Sequence, residues 1–228
     1  MIQKPVISAA DAAAKVKTGD TVLVGGFLAC GSPLTVIQAL RDAQTNDLTL
    51  VCNDTGICDL KSGAVKGVAH LVVGKQCRHI ITSHIGLNQE TQRQMNEGDT
   101  LVELVPQGTL AEQIRAGGAG LGGILTPTGV GTEVEQGKQT LIIEDRQYLL
   151  ELSLRGQVAL IKAKVADKAG NLVYHATARN FNPVMATAAD LVIAEVEEIV
   201  EIGELDPDFV HTPSIFVDFI VKAEQLNA

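Results

Sequence analysis

Tryptophan is absent from the 228 residues, and tyrosine and phenylalanine number only two and five. Single-stranded nucleic acid is held on aromatic stacking platforms, so that mode of binding is excluded and the core has to be aliphatic. Cations are also in deficit. The 18 Lys and Arg against 27 Asp and Glu leave a net charge of −9, which repels a polyphosphate at long range. Cys30, Cys52, Cys58 and Cys77 form no C-x-x-C pair and match neither zinc spacing nor a dense disulfide framework, so buried thiols are expected. The longest uncharged run, Thr21 to Leu40, is broken by Gly25, Gly26, Gly31, Ser32 and Pro33 and cannot serve as a membrane span. Lys4, Asp11, Lys15 and Lys17 interrupt the start of the chain where a signal peptide needs an apolar stretch. A cytoplasmic protein with no nucleic-acid and no membrane partner is expected.

What is present is aliphatic and patterned. Hydrophobic residues make up 46 % and charged residues 20 %, a globular balance, and the length suits one domain over 1–228. Short Val/Leu/Ile runs alternate with longer polar stretches of helical spacing, which predicts an α/β fold with an open, mostly parallel sheet flanked by helices. Strands are expected at Thr21 to Val24, Leu48 to Cys52, His79 to Thr82, Leu101 to Leu104, Val158 to Val165 and Leu191 to Val196. Ser32-Pro33 reads as N-cap and first residue of a helix from Leu34 to Ala43, and a polar helix fits Gln89 to Glu97. A further helix is expected from about Thr109, with Glu112 in capping-box position, to Arg115, stopped by the glycines from Gly117. Gly117 to Thr132, with seven glycines and no charge, reads as a functional loop. Asn182-Pro183 reads as the cap of a short helix through Ala189, and Ile215 to Leu226 as a closing amphipathic helix.

Three features could carry chemistry. Gly25, Gly26, Phe27, Leu28, Ala29, Cys30 and Gly31 follow a strand and precede a helix N-terminus, a place where α/β proteins hold anions, although a turn that simply needs glycine has the same sequence. Gly118 to Gly123 is formally G-x-G-x-x-G but follows a helix instead of a strand, and no clear strand ends in an acid about 20 residues on; Glu144 has the spacing but lies in a turn. Asn53-Asp54-Thr55-Gly56 and Pro106-Gln107-Gly108-Thr109 each follow a strand end and bring carboxamides to one sheet edge, where they suit either turn capping or donation to a developing oxyanion. His70, His79, His84, His175 and His211 are scattered, no G-x-S-x-G elbow occurs, and no metal site is expected.

Taken together, these segments resemble the alpha subunit of the family I coenzyme A transferases that act on short-chain acids and 3-oxoacids. The resemblance runs through Gly25-Gly26-Phe27 with Gly31-Ser32-Pro33, Asn53 to Gly56, Ser83 to Gly86, Val105 to Leu110, Ile114 to Gly120, Leu125 to Gly129, Gly170 to Leu172 and Ala178 to Pro183. It implies transfer of coenzyme A from an acyl-CoA, such as acetoacetyl-CoA, to a free acid such as acetate or butyrate, by a ping-pong route through a glutamyl-CoA thioester. The nucleophilic glutamate is expected on a separate beta subunit, since nothing like its Ser-Glu-Asn-Gly motif occurs here; Asn96 to Asp99 reads as a helix end. The resemblance makes Gly25 to Gly31 the coenzyme A-associated loop and Gln107 and Asn53 the acyl-site donors. It also implies a heterotetramer of two alpha and two beta chains, with coenzyme A as substrate and no permanently bound cofactor. Gly118 to Gly123 and Thr126 to Thr128 would line either the acyl pocket or the interface with the partner chain, and Arg115 and Arg179 would be either phosphate contacts or structural pairs. Three alternatives stand beside this reading: a 3-oxoadipate CoA-transferase, a nucleotide-dependent oxidoreductase and a non-catalytic α/β binding domain.

Overall fold

A computed structural model describes residues 3–224. The chain opens with β1 (Val6–Ile7), α1 (Ala9–Ala13), β2 (Thr21–Val24), α2 (Leu34–Asp42), β3 (Leu48–Asp54), the short pair β4 (Ile57–Asp59) and β5 (Ala64–Lys66), and α3 (Ala69–Val73). Its middle supplies β6 (Cys77–His84), α4 (Gln89–Glu97), β7 (Leu101–Leu104), α5 (Gln107–Gly118), β8 (Gly123–Thr126), β9 (Thr140–Ile143) and β10 (Arg146–Leu152). The last part gives β11 (Gly156–Asp167), β12 (Leu172–Val173), α6 (Asn182–Thr187), β13 (Ala189–Val200) and β14 (Phe219–Lys222).

The main sheet has the order β1-β14-β13-β11-β2-β3-β6-β7, with every neighbouring pair parallel and β12 antiparallel beside β11. Parallel strands are covered on both faces, which is why they read as unbroken apolar runs. All of β3 is buried. Leu23, Val51 and Ile161 face α5 and α6, against Leu110, Ile114 and Met185. Val22, Val24, Leu50 and Leu160 face the other way, against Val36, Ile37 and Leu40 of α2. Burying each such side chain contributes about 2 kcal/mol.

Five expectations need correction. Ile215 to Leu226 is not a helix: a 3-10 turn at Ser214–Phe216 leads into β14, and Leu226 lies outside the described residues. The apolar Phe219–Val221 stretch is claimed by the open flank of β13, where Ile220 and Val221 are buried. The 117–132 stretch is not all loop, because β8 pairs with β10 in a separate antiparallel sheet, β8-β10-β9. Helix α5 starts at Gln107, has Pro106 as N-cap without a side-chain bond, and runs through Gly117 instead of stopping there. A Cβ on Gly117 would lie 2.0 Å from the Leu154 carbonyl oxygen, so this glycine permits close packing and does not end the helix. Finally, Pro33 and not Ser32 is the N-cap of α2, and Asn182 is the first helical residue of α6, with Phe181 as its cap.

Candidate active site

From β2 the chain proceeds toward β3, and it returns on the other flank of β2 at β11, so the strand order reverses between β2 and β11. Crevices outside the carboxyl ends of strands at such a point bind ligands in open α/β sheets. The Gly25 to Gly31 loop follows β2 at that point. Phe27 and Cys30 exchange backbone hydrogen bonds of 3.0 and 2.8 Å across Leu28 and Ala29, whose φ values are 44° and 69°. Non-glycine residues in this left-handed region persist where the surroundings over-determine them. Here the Leu28 N–H donates to Asp54 Oδ2 at 2.9 Å, and Asn180 Nδ2 donates to the Cys30 carbonyl at 3.0 Å. Phe27, Leu28 and Cys30 are left exposed at the tip, which corrects the expectation of a buried thiol for Cys30.

Asn182 supports this loop from beneath. Fully buried, it donates to the carbonyls of Gly31 and Ala178 at 3.0 and 2.8 Å and accepts from the Lys162 N–H at 2.9 Å. A Cβ on Gly25 would fall 1.9 Å from its Oδ1, so glycine is required by close approach. Sequence reasoning finds only a helix cap at Asn182; its place in the Ala178 to Pro183 segment is the available signal.

The helix after the loop does not offer its N-terminus to a ligand. Glu195 of β13, buried, accepts from the Val36 N–H at 3.1 Å and from Lys162 Nζ at 3.1 Å. A protein carboxylate therefore already occupies the positive end of α2. Burial pushes the Glu195 carboxyl above its ordinary value, and Lys162 offsets part of that rise. The anion seat expected at α2 is filled by the chain itself.

Asn53 and Gln107, 54 residues apart, meet at the neighbouring strand ends. Gln107 Nε2 donates to Asn53 Oδ1 at 2.6 Å, and Asn53 Nδ2 donates to Asp54 Oδ2 at 2.7 Å. Ser83 Oγ donates to the Asn53 carbonyl at 2.6 Å. Asn53 is buried while Gln107 is exposed, so the pair presents Gln107 to the outside on a fixed base. Three first-turn N–H groups of α5, at Gln107, Gly108 and Thr109, lie beyond the reach of intrahelical acceptors. Asp54, which ties this pair to the glycine loop, belongs to a motif that the sequence singles out without giving the residue a role.

Beside Gln107 a groove of about 550 Å³ runs between α5 and β8, lined by Gly108, Thr109, Ile124, Leu125, Thr126 and Thr128 among others. Its far wall is fixed by Glu151 of β10, buried, which accepts from Gln113 Nε2 of α5 at 3.2 Å and Lys138 Nζ at 2.6 Å. The groove is reached by Thr126 and Thr128 but not by Gly118, which packs against Thr187. The G-x-G-x-x-G stretch joins the end of α5 to the start of β8, the reverse of the strand-to-helix order a dinucleotide site requires. Glu144 and Asp145 form the β9–β10 turn, both with positive φ. Arg115 Nε is paired with Glu112 at 2.7 Å, and Arg179 ends the exposed turn beside the glycine loop. Among the described residues no group of three or more His, Cys, Asp or Glu could hold a metal ion, and no helix is long and apolar enough to cross a membrane.

Known proteins resemble this chain in sequence and in fold. The coenzyme A transferase family model matches residues 6–223. The chain is 49 % identical over 215 residues to the alpha subunit of acetate CoA-transferase from Escherichia coli K12, covering 94 % of this chain and 95 % of that protein. It is 44 % identical over 206 residues to the alpha subunit of acetoacetyl-CoA:acetate/butyrate CoA transferase from Clostridium acetobutylicum, covering 90 % and 92 %. In fold it is similar to an acyl-CoA transferase of Escherichia coli O157:H7 solved as a thioester complex with CoA. That superposition has a TM-score of 0.85 at 23 % identity, over 99 % of this chain and 49 % of the other, so this chain spans about half of that protein's length. The match over nearly the whole chain, on a parallel sheet with its glycine loop at the switch point, makes this protein a member of the coenzyme A transferase family.

Proposed function

We propose that this chain is the alpha half of a two-chain CoA-transferase that moves coenzyme A between a short-chain acyl-CoA, such as acetoacetyl-CoA, and a free acid such as acetate or butyrate. The observation that carries the reading is the Gln107–Asn53 pair, with Gln107 one residue before Gly108, which lines the α5–β8 groove. Amide N–H groups on a rigid base stabilise an oxyanion without reorganising as it forms. In this reading the thioester carbonyl lies against Gln107 while its short acyl chain enters the groove, between Ile124, Leu125 and the two threonines. The exposed glycine-loop tip takes the coenzyme A side.

The partner is a beta chain, in keeping with the alpha-type names of the similar proteins, and in this reading it carries the nucleophile, a glutamate, as the family resemblance implies. Its carboxylate attacks the thioester carbonyl and expels the CoA thiolate, leaving an acyl-glutamyl anhydride. The thiolate then attacks the glutamyl carbonyl, releasing the first acid and forming the glutamyl-CoA thioester; the second acid reverses the two steps. Gln107 donates to the oxyanion in each tetrahedral stage.

The test is turnover of acetoacetyl-CoA with acetate by the assembled two-chain enzyme. Gln107→Ala should lower kcat about 100-fold, the effect of losing one oxyanion donor, with assembly unchanged by size-exclusion chromatography. Unaltered kcat would overturn the assignment.

A further inference from the structure

Asp54 receives three N–H donors and gives none. Its Oδ2 accepts from the Leu28 N–H at 2.9 Å and from Asn53 Nδ2 at 2.7 Å, and its Oδ1 accepts from the Gly56 N–H at 2.9 Å. It is buried at 5 % exposure at the end of β3. A carboxylate can only accept, so the Asn53 amide must turn its nitrogen toward Asp54. Its oxygen then faces Gln107, which must answer with Nε2, as the 2.6 Å contact has it. A carboxamide alone has no such preference, since its two ends are nearly equal in shape.

We propose that Asp54 is a positioning residue for the transfer reaction: its carboxylate sets the polarity of the Asn53–Gln107 pair, so that an N–H and not a C=O of Gln107 stands beside Asn53. The inference rests on the reading of Gln107 as the acyl-site donor. The same Oδ2 also anchors the left-handed turn at Leu28, so one oxygen ties the glycine loop to the orientation of the donor amide. Hydrogen bonds in such a chain polarise one another, and the burial of both Asp54 and Asn53 keeps water from supplying a competing acceptor.

The experiment compares Asp54→Ala, Asn53→Asp/Asp54→Ala and Gln107→Ala in the assembled two-chain enzyme. Asp54→Ala should lower kcat at least tenfold, and adding Asn53→Asp should restore most of that loss. A carboxylate at position 53 presents only acceptors to Gln107 Nε2, whatever stands at position 54. If Asp54 merely props the loop, a second buried substitution cannot help, and absence of recovery overturns the proposal. Where Asp54→Ala does not assemble, Asp54→Asn is read the same way, with kcat recovered when Asn53→Asp is added. Wild-type kcat in Asp54→Ala together with a damaged Gln107→Ala overturns the role of Asp54 alone, whereas wild-type kcat in Gln107→Ala overturns the reading beneath it. In ¹H–¹⁵N spectra the Gln107 side-chain amide should shift in Asp54→Ala and return toward its wild-type position in the double variant.

Discussion

Single side chains decide whether the glycine loop can exist. The Oδ1 of Asn182 lies where a Gly25 Cβ would fall, and Asn182 cannot withdraw because three backbone partners hold it. Gly25→Ala should therefore destabilise the fold by about 2 kcal/mol, the usual cost of overfilling a packed site, measured by denaturant unfolding; an unchanged midpoint would contradict this account. Thiol chemistry separates along the same line between tip and interior. Burial pushes Cys77 up to about 12 and raises Cys52 well above the ordinary value, Asp54 adding to the rise at Cys52, and burial raises Cys58 as well. Cys30 is exposed on the loop. Native protein treated briefly with iodoacetamide at neutral pH should gain one adduct by intact mass, mapped to Cys30. Two or more adducts at that stage would show the interior thiols to be accessible.

At the scale of elements, α2 is joined to the sheet by a buried carboxyl and not only by its apolar face. Glu195 holds the Val36 N–H while Lys162 holds Glu195. Because burial raises the folded-state value of Glu195 above its ordinary 4.5, the folded protein binds this proton more tightly than the unfolded chain. The sign follows directly: stability from this group is greatest below 4.5 and falls as pH rises through the raised value. Unfolding free energies of wild type and Glu195→Gln, measured across that range, should differ by an amount that moves against wild type with rising pH and then levels off. A difference independent of pH would show that Glu195 titrates alike folded and unfolded. The elements themselves were legible to unequal degrees. Leu101 to Leu104 and Gln89 to Glu97 agree with β7 and α4 to the residue, because period and caps were local, with Gly98 ending α4 at φ 76°. The β14 segment reads as helix in the sequence because a short apolar run has no period of its own, and a partner strand decides it.

For the whole molecule, the division of labour leads to a plain expectation. This chain alone should leave acetoacetyl-CoA and acetate unchanged, and acetyl-CoA should accumulate once a beta chain is added, followed by separation of the CoA esters. Turnover by the chain alone would mean that one of its own glutamates is the nucleophile.

The sequence by itself determined what is local or repeated along the chain: the α/β alternation, the glycine turn after β2, the aliphatic core and the two carboxamide turns, each encoded by neighbours within a few residues. Only the tertiary structure decided which of these touch. The 54 residues between Asn53 and Gln107, the reach of Glu195 to α2 and the seat of Gly25 on Asn182 depend on strand order. Strand order is set by what packs on both faces of a buried sheet at once, and no sequence window contains the helices and neighbouring strands that do so. For the same reason the role of Asp54 is only half announced by its neighbours: Asn53 and Gly56 donate to it locally, but the Leu28 N–H, 26 residues away, reaches it only when β3 ends beside the glycine loop.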